Sequence, residues 1–384
     1  MNDQDSIDKK SLSERDICTK FITPAIKDVA GWNIMQFSEQ LTLGNIFVKG
    51  KRVARGSKDR ADYILFHNRD LPIVIIEAKD NNHDLGGLNK SALSHLLTSE
   101  TPEEFNQHWD FIAEHFDLLF QTPEHVAPLR QSILELAVRG KLTRREAGDE
   151  SAGELLQQIH DEKANRGKEE PQPVVKEANK PFALPENWEW TTLDYMSKKI
   201  TDGEHIRPQI TSAGVYFLSA KDVRDDGPHF ENALFVSVED AEQYRKRCDP
   251  ERGDILVVSR GATVGRTCIV DTDEVFCLLG SVILAKPEIG ISSEYITFAM
   301  KSNDVQRQLV SSSGATAQQA IYIRDIRKTL IPLPPLAEQE RIVKRVEQLL
   351  SLCDALEARL QSAEEERGRL VAAVMAGVGT TVEY

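Results

Sequence analysis

The chain has 384 residues, of which 40% are hydrophobic and 28% are charged. This balance is typical of a soluble globular protein with two or three domains. No apolar run approaches the roughly 20 residues that a membrane-spanning helix needs, which argues against an integral membrane protein. The formal net charge is −14, which predicts weak affinity of the isolated chain for DNA, although it is compatible with a local basic face.

The ends and the cysteines suggest a cytoplasmic protein. The first residues, MNDQDSIDKK, are polar throughout and predict that no signal peptide is present. None of the five cysteines forms a C-x-x-C pair. This scatter predicts a reduced, cytoplasmic chain without structural zinc.

Residues 1–99 are predicted to form a small α/β unit. The run SLSERDICTKFITPAIKDVAG has apolar residues at helical spacing after a capping serine. The runs NIFVKG, ADYILF and PIVIIEAK that follow have the composition of short strands, and the last is apolar enough for a buried strand.

This unit carries the pattern D-x14-E-x-K, formed by Asp62, Glu77 and Lys79. Two carboxylates on neighbouring strands can hold a divalent metal such as Mg²⁺, and a lysine two positions after the second shares its face of the strand. Metal and lysine together can activate a water for attack on a phosphodiester. The structural interpretation, that these are surface charges at strand ends, stays open because the pattern alone is common.

The stretch LSERDICTKFITPA, followed by GKRVARGSKDRADY and IEAKDNNH, resembles the start of the restriction subunit of type I restriction–modification systems. That resemblance implies a PD-(D/E)xK nuclease fold with Asp62 and Glu77 as metal ligands and Lys79 as the catalytic lysine. The next stretch, GGLNKSALSHLLTSE, lacks the glutamine and tyrosine of the family's following motif, and no Walker A sequence exists in the chain. We therefore expect a truncated remnant or docking module, with an active nuclease as the alternative.

The remaining chain divides into four predicted segments. Residues 100–166 have helical periodicity, and residues 167–181 form a charged, proline-bearing linker. Residues 182–335 alternate short strand-like runs with Gly, Asp and Pro turns. Residues 336–378 are predicted to form one long helix with an apolar seam at alternating steps of four and three, which is typical of a coiled coil. Packing of that helix on its own globule is the alternative.

Several phrases in fixed order resemble type I specificity subunits: FDLLFQTPEHVAPLRQSILELAVRGKLT, FALPENWEWTTL, ITDGEHIRP, FLSAKDVRDDG, GDILVVSRGATVGRTCIV and SSSGATAQQAIYIRDIRKTLIPLPPLAEQERIV. The resemblance covers nearly the whole chain after Glu104. It implies a target-recognition domain over residues 182–335. The expected fold class is therefore mixed α/β, with a strand-rich α/β recognition domain, a long coiled-coil helix and a small PD-(D/E)xK-like α/β domain in front.

A domain that recognises bases must place side-chain donors and acceptors in the major groove. Polar residues on turns between short strands suit this task, and a basic triplet at residues 245–247 suits contact with phosphates. Each is equally open to a structural interpretation as a solvated loop residue, and the two tryptophans Trp188 and Trp190 are expected in the core. The candidate DNA-binding residues are Asp202, Glu204, His205, Arg207, Lys221, Arg224, Arg245, Lys246, Arg247, Arg260, Thr263, Arg266, Gln318 and Gln319.

The resemblance also assigns a role to the long helix. Full specificity subunits carry two recognition domains separated by two long helices, whereas this chain has one of each and looks like half a subunit. We expect a homodimer, a bipartite palindromic double-stranded DNA target, and docking of methyltransferase and restriction subunits on the helices. The seam residues expected to face a partner are Ile342, Val346, Leu349, Leu356, Leu360 and Leu370.

Three functions compete at this point. The first is a recognition subunit without cofactor or catalysis, which directs adenine methylation by its partners, because the chain has no N/D-P-P-Y/F motif of its own. The second is an Mg²⁺-dependent endonuclease aimed by the recognition domain. The third is a regulatory decoy that competes for methyltransferase subunits.

Overall fold

The computed structural model describes residues 37–43, 46–49, 52–55, 59–68, 71–76, 87–144, 146, 148–168, 170–312 and 320–379. The chain forms two compact units, Met1–Gln121 and Thr122–Tyr384. The boundaries at residues 99, 166, 181 and 335 stay sequence-based predictions. In the described part of the chain, no helix has the length and apolar character of a membrane span.

The first unit contains a three-stranded antiparallel sheet and a hairpin. The sheet order is β1 (Phe37–Leu43), β4 (Asp59–Asn68), β5 (Leu71–Ile76). The hairpin pairs β2 (Ile46–Lys49) with β3 (Arg52–Arg55). The strands predicted at NIFVKG, ADYILF and PIVIIEAK are therefore confirmed, whereas the predicted helix from Ser11 lies outside the described residues.

Three helices follow in the first unit: α1 (Gly87–Thr98), α2 (Pro102–Glu114) and α3 (Phe116–Leu119). Helix α2 begins at a capping box, in which Thr101 accepts from the backbone of Glu104 and the Glu104 side chain accepts from the backbone of Thr101. This reciprocal pair satisfies two backbone donors that the helix itself cannot satisfy, which explains why the helix starts here.

The second unit opens with two helices, α4 (Val126–Val138) and α5 (Ala152–Asn165). Ser151 and Glu154 form a second capping box at the start of α5. The predicted linker that follows contains one short 3-10 turn, Glu177–Asn179, among its described residues. The helical prediction for residues 100–166 is thus confirmed for most of its length.

The strand-rich part of the second unit holds several small sheets. The largest has the order β13, β12, β15, β7, and a three-stranded sheet has the order β11, β8, β14. Two pairs, β16 with β6 and β10 with β9, complete the set. The bounds are β6 Glu189–Thr192, β7 Ser197–Asp202, β8 Val215–Leu218, β9 Val223–Arg224, β10 Gly227–Pro228, β11 Leu234–Val236, β12 Ile255–Val258, β13 Thr267–Ile269, β14 Phe276–Leu278, β15 Val282–Pro287 and β16 Leu330–Leu333.

Helices surround these sheets and share their core. They are α6 (Val238–Arg245), α7 (Ser293–Lys301), α8 (Asn303–Ser312) and α9 (Ile323–Arg327). The central strand β12 is buried at every position, as its sequence ILVV requires. Trp188 and Trp190 are 3% and 6% exposed, so their predicted place in the core is confirmed.

The predicted long helix is confirmed as α10 (Leu336–Gly379), 44 residues long. At about 1.5 Å per residue it spans roughly 66 Å. Ile342, Val346 and Cys353 are buried in a core cluster that also contains residues of α4, α7 and β16.

This packing corrects part of the prediction that the apolar seam of α10 faces a partner. The sequence predicts Ile342 and Val346 as partner-facing, but both are 0% exposed, because the same chain covers them. Leu349, Leu356 and Leu360 are partly buried and pack against the same core cluster. Of the predicted seam residues, Leu370 remains uncovered, at 66% exposure.

Candidate nucleic-acid interface

Four strands of the second unit end at one edge of its sheets. Strands β7 and β12 end opposite the first residues of β15, at Asp202 and Val258. Strands β8 and β14 are parallel, and their ends pair at Leu218 and Leu278. A loop follows each strand, so four loops meet here, and we call this surface the loop edge. It comprises residues 203–210, 219–222, 259–265 and 279–281.

The turn after β14 ties the other three loops together. The backbone nitrogen of Gly280 donates to the carbonyl oxygen of Glu204 at 2.7 Å. The Ser281 hydroxyl accepts from the Ala220 nitrogen at 3.2 Å, and the Ser281 carbonyl accepts from the Ser259 nitrogen at 2.8 Å. These hydrogen bonds hold the loops at fixed positions relative to each other, as a surface that recognises a rigid duplex requires.

Two glycines allow this close approach. A Cβ atom at Gly203 would lie 2.0 Å from the carbonyl oxygen of Leu278, and one at Gly280 would lie 2.6 Å from Nδ1 of His205. Contacts to backbone at such distances cannot be relieved by a side-chain movement. Gly203 is therefore required by the packing of the loop edge rather than by ligand contact.

Asp202, the last residue of β7, contacts two basic side chains next to the loop edge. Its carboxylate accepts a hydrogen bond from Arg247, and its Oδ2 lies 2.9 Å from Nε2 of His205. Asp202 itself is buried. Each of its two oxygens is therefore occupied by one neighbour, Oδ1 by Arg247 and Oδ2 by His205, so Asp202 positions these two side chains, and its contact with DNA stays a prediction. Glu204 has a similar role, since its Oε1 accepts from the backbone nitrogens of the next two residues.

The exposed cations predicted on these loops do lie at the loop edge. Arg207 and Arg260 are exposed, and neither has an ionic partner among the described residues. Lys221 is also exposed, and its Nζ donates to the carbonyl oxygen of Asn232 at 3.3 Å. Thr263 is half-buried in the loop after β12. Arg207 and Arg260 thus have their full donor capacity available.

Arg224 and Arg266 lie beside the loop edge with weak ionic contacts. Arg224 is 3.9 Å from the Glu231 carboxylate. Arg266 is 3.8 Å from Asp225 and donates to the carbonyl oxygen of Val223 at 3.4 Å. Contacts at these lengths are weak, so either guanidinium can exchange its neighbour for a phosphate.

The predicted basic triplet does not form a continuous phosphate-binding patch. Arg245 donates to the carbonyl oxygens of Phe276 at 2.8 Å and Pro250 at 3.3 Å, so it stabilises the strand β14. Lys246 is exposed and donates to the Gln243 side chain at 2.9 Å. Arg247, as described above, is bound to Asp202. The three charges are thus used by three different partners, which consecutive sequence positions cannot reveal.

Several predicted residues cannot be placed. Gln318, Gln319, Glu77 and Lys79 lie outside the described residues. Asp62 lies in β4, which pairs with β5, and Glu77 directly follows β5 in sequence. Within the described ranges, no group of three or more His, Cys, Asp or Glu residues could hold a metal ion.

Three of the four cysteines of the second unit, Cys248, Cys268 and Cys277, are packing residues of the strand-rich part. Burial raises the pKa of both Cys248 and Cys268 to about 12 and that of Cys277 to about 11. All three thiols are therefore protonated at neutral pH, and a protonated thiol is a poor nucleophile and metal ligand.

One group of candidate residues was missed by sequence reasoning. Tyr322 and Arg324 follow Ala320, which forms a backbone bridge with Arg260 of the loop edge. The alternation of Ile with Tyr and Arg in IYIR was the available signal, since it separates a buried side from an exposed one.

Residues 185–365 match the family model of the type I restriction modification DNA specificity domain. The specificity subunit of the type I restriction enzyme EcoEI from Escherichia coli is 29% identical to this chain over 301 residues, covering 75% of this chain and 51% of that subunit. The chain thus spans about half the length of that relative. Both findings support the resemblance to specificity subunits that the ordered motifs indicate.

Two further similarities are narrower. The endonuclease subunit of EcoAI from Escherichia coli is 35% identical over 103 residues, which is 26% of this chain and 13% of that subunit. A chain from a solved structure on the assembly and conformational transition of the type I R-M system is 18% identical, covers 82% of this chain and 77% of that chain, and has a TM-score of 0.41.

Proposed function

We propose that this protein is a sequence-specific DNA-recognition subunit of a type I restriction–modification system, and that the loop edge contacts the bases. The observation that carries the proposal is the coincidence of the matched range, residues 185–365, with a surface where four loops meet and where two exposed arginines have no ionic partner within the described part of the chain. Arginine forms bidentate hydrogen bonds with guanine in the major groove, so Arg207 and Arg260 are the first candidates for base contact.

The net charge of −14 shapes how this function works. Long-range attraction to DNA is weak for such a chain, so affinity must come from a local cationic face and from partner subunits. We propose that methyltransferase subunits supply part of the positive surface and the methyl-transfer chemistry. The chain supplies the sequence preference.

The helical part of the unit supports a second element of the proposal. The long helix α10 runs through the end of the matched range, residues 185–365, and presents an exposed apolar residue, Leu370, beyond it. We propose that two copies associate through the part of α10 beyond Leu360 and restore a two-fold arrangement. A two-fold pair of reading surfaces recognises a palindromic, interrupted site, and the helices set the spacer length.

The test is co-expression with a cognate methyltransferase subunit, followed by genome-wide mapping of methyladenine. We expect one bipartite, palindromic motif. Arg260→Ala should relax the preference at one position of each half-site or abolish methylation, whereas Arg252→Ala, which removes an exposed arginine bound to Asp273, should leave the motif intact. A stable complex without any methylation favours the decoy function, and methylation without sequence preference contradicts the proposal.

A second candidate is suggested by the 35% identity to an endonuclease subunit. In that case Asp62 and Glu77 would hold Mg²⁺, and Lys79 would help to orient and deprotonate the water that attacks the phosphodiester. The test is plasmid nicking in the presence of Mg²⁺ by the full chain and by Asp62→Ala. Equal activity of the two proteins eliminates this candidate.

A further inference from the structure

Residues 320–321 run next to the loop edge and are joined to it by backbone hydrogen bonds. The nitrogen of Ile321 donates to the carbonyl oxygen of Ser259 at 2.9 Å, and Ala320 pairs with Arg260. Tyr322 follows immediately, and α9 starts at the next residue. The backbone of residues 320–321 is therefore bonded to the loop edge next to Arg260, and Tyr322 and α9 continue the chain from that point.

Burial decides which residues of the segment face outward. Ile321 and Ile326 are 3% and 0% exposed, so they hold the segment against the core. Arg324 and Lys328 are four residues apart and share the opposite face of the turn, where both are exposed. The short helix thus presents two cations to solvent because its isoleucines face the core.

Arg327, the other arginine of α9, makes contacts within the protein. Arg327 donates to the carbonyl oxygen of Ile200 at 3.1 Å and lies 3.4 Å from Asp194. It fixes α9 against the edge strand β7. Lys328, in contrast, has no ionic partner among the described residues.

Tyr322 holds Arg324 in an extended position. The guanidinium carbon of Arg324 lies 5.4 Å from the centre of the Tyr322 ring, and the tyrosine is 48% exposed. The side chain of Arg324 is 78% exposed, and its Nε makes a long ionic contact, 3.4 Å, with the carboxylate of Asp325. A stacked guanidinium keeps the remaining donors directed outward, and less entropy is lost when it binds an anion.

We infer that Tyr322, Arg324 and Lys328 form a phosphate-contacting strip, which continues the DNA surface from Arg260 onto α9. The inference rests on the proposed function of the loop edge and assigns the strip to the backbone of double-stranded DNA rather than to bases. Arginine, lysine and tyrosine are the side chains that proteins use for phosphate contacts, and such contacts make up half or more of a DNA interface. When Arg260 contacts the bases of a duplex, the phosphates that flank those bases lie over the adjacent segment.

The test measures affinity of the full chain for a mixed-sequence double-stranded oligonucleotide by fluorescence anisotropy over a series of salt concentrations. Each lost phosphate contact lowers the slope of log K against log salt by about 0.9, so Arg324→Ala with Lys328→Ala should lower it by about 1.8. The loss should be the same for every DNA sequence. Arg324→Lys keeps the charge and should restore most of its contact, while Tyr322→Ala should weaken binding with little change of slope.

The matched control is Lys344→Ala with Arg345→Ala, which removes the same charge from exposed positions on α10. If that pair lowers the slope as much as the α9 pair, general charge explains the effect and the strip is rejected. An unchanged slope in the α9 pair, or a loss confined to one DNA sequence or to capture of a methyltransferase subunit, also overturns the inference while leaving the proposed function standing. No DNA binding by the wild-type chain, even with its partner subunits, overturns both.

Discussion

The two halves of the long helix have the same apolar period but different surroundings. From Leu336 to Leu360 the seam faces the core of its own unit, and Ile342 and Val346 have no exposed surface. From residue 361 to residue 370 every position is exposed, and Leu370 at a seam position is 66% exposed. A heptad pattern therefore identifies which face of a helix is apolar, but it does not identify what covers that face.

The packed half is also fixed by polar contacts at its start. Glu338 is buried, and its two oxygens accept from Nε1 of Trp188 and from Oγ1 of Thr143, both at 2.9 Å. Trp188 directly precedes β6, and Glu338 lies in the first turn of α10. The direction in which the long helix starts is therefore set by these two hydrogen bonds, as the proposed role of α10 in setting the spacer length requires.

The largest expected loss of stability distinguishes the packed half of α10 from its exposed half. Ile342→Ala should lower the free energy of unfolding by about 2–5 kcal/mol, because it leaves a cavity in a fully buried site. Leu370→Ala should stay within about 0.5 kcal/mol, since its side chain is exposed in the single chain. Chemical denaturation at low protein concentration measures both. A large loss for Leu370→Ala that grows with protein concentration would show that a second copy covers the exposed half.

The next effect concerns the start of the helix. Glu338→Ala leaves Nε1 of Trp188 buried without an acceptor and should cost about 1–3 kcal/mol, with little added by Thr143, whose bond is only partly buried. Glu340→Ala, an exposed glutamate in the same turn, is the matched control and should have little effect. Equal losses for the two variants would mean that the bonds to Trp188 and Thr143 do not fix the helix.

A smaller change in stability is expected to depend on pH and arises from Glu135 on α4, the helix that packs against α10. Glu135 on α4 accepts from the backbone nitrogen of Asp304 at 3.3 Å at the start of α8, and burial, together with the charge of Asp304, raises its pKa above 4.5. The folded chain therefore keeps this proton to a higher pH than the unfolded chain. Its contribution to stability falls as pH rises from 4.5 through the raised pKa, by at most about 1.4 kcal/mol per pH unit.

Glu135→Gln removes that dependence, so the stability of the variant relative to wild type should rise with pH across this window in urea titrations. Asp249→Asn serves as a control of opposite sign. Burial alone would raise the pKa of Asp249, but its hydrogen bond with Lys199 holds the pKa below 3.8. Its stabilising contribution is present above pH 3.8 and is lost as pH falls, so the same trend in both variants would contradict the assignment.

Local pattern was sufficient to predict most elements of the fold. The apolar run ILVV became the central strand β12, and the long periodic segment became α10. The sequence could not predict which residues cover the apolar face of α10, because Ile342 packs in a core with residues of α4 and α7 that are far away in sequence. Periodicity is a local property, whereas the surface that covers an apolar face is set by tertiary packing.

The candidate site shows the same limit for charges. Loop positions of Arg207 and Arg260 were predictable from turn signals, and both are exposed at the loop edge. The roles of Asp202 and Arg245 were not predictable, because each is satisfied by a residue or carbonyl group from another strand or helix. A charged residue is available to a ligand only when its partner within the fold is absent or weakly bound, and that depends on residues distant in sequence.

The smallest expected effect compares one ion pair from each half of α10. Arg130 on α4 lies 2.7 Å from Asp354 and 2.8 Å from Glu357 and so joins α4 to the packed half. Because both acids are partly in solvent, Arg130→Met should cost only about 0.5–1 kcal/mol, and the loss should shrink as salt screens the pair. Arg369, 3.2 Å from Glu365, lies in the exposed half, where both side chains can leave the pair freely, so Arg369→Met should cause no measurable loss. If both variants lose the same small amount in low salt, the pair between helices contributes no more than one within a single exposed helix, and Arg130 does not help to hold α10 in place.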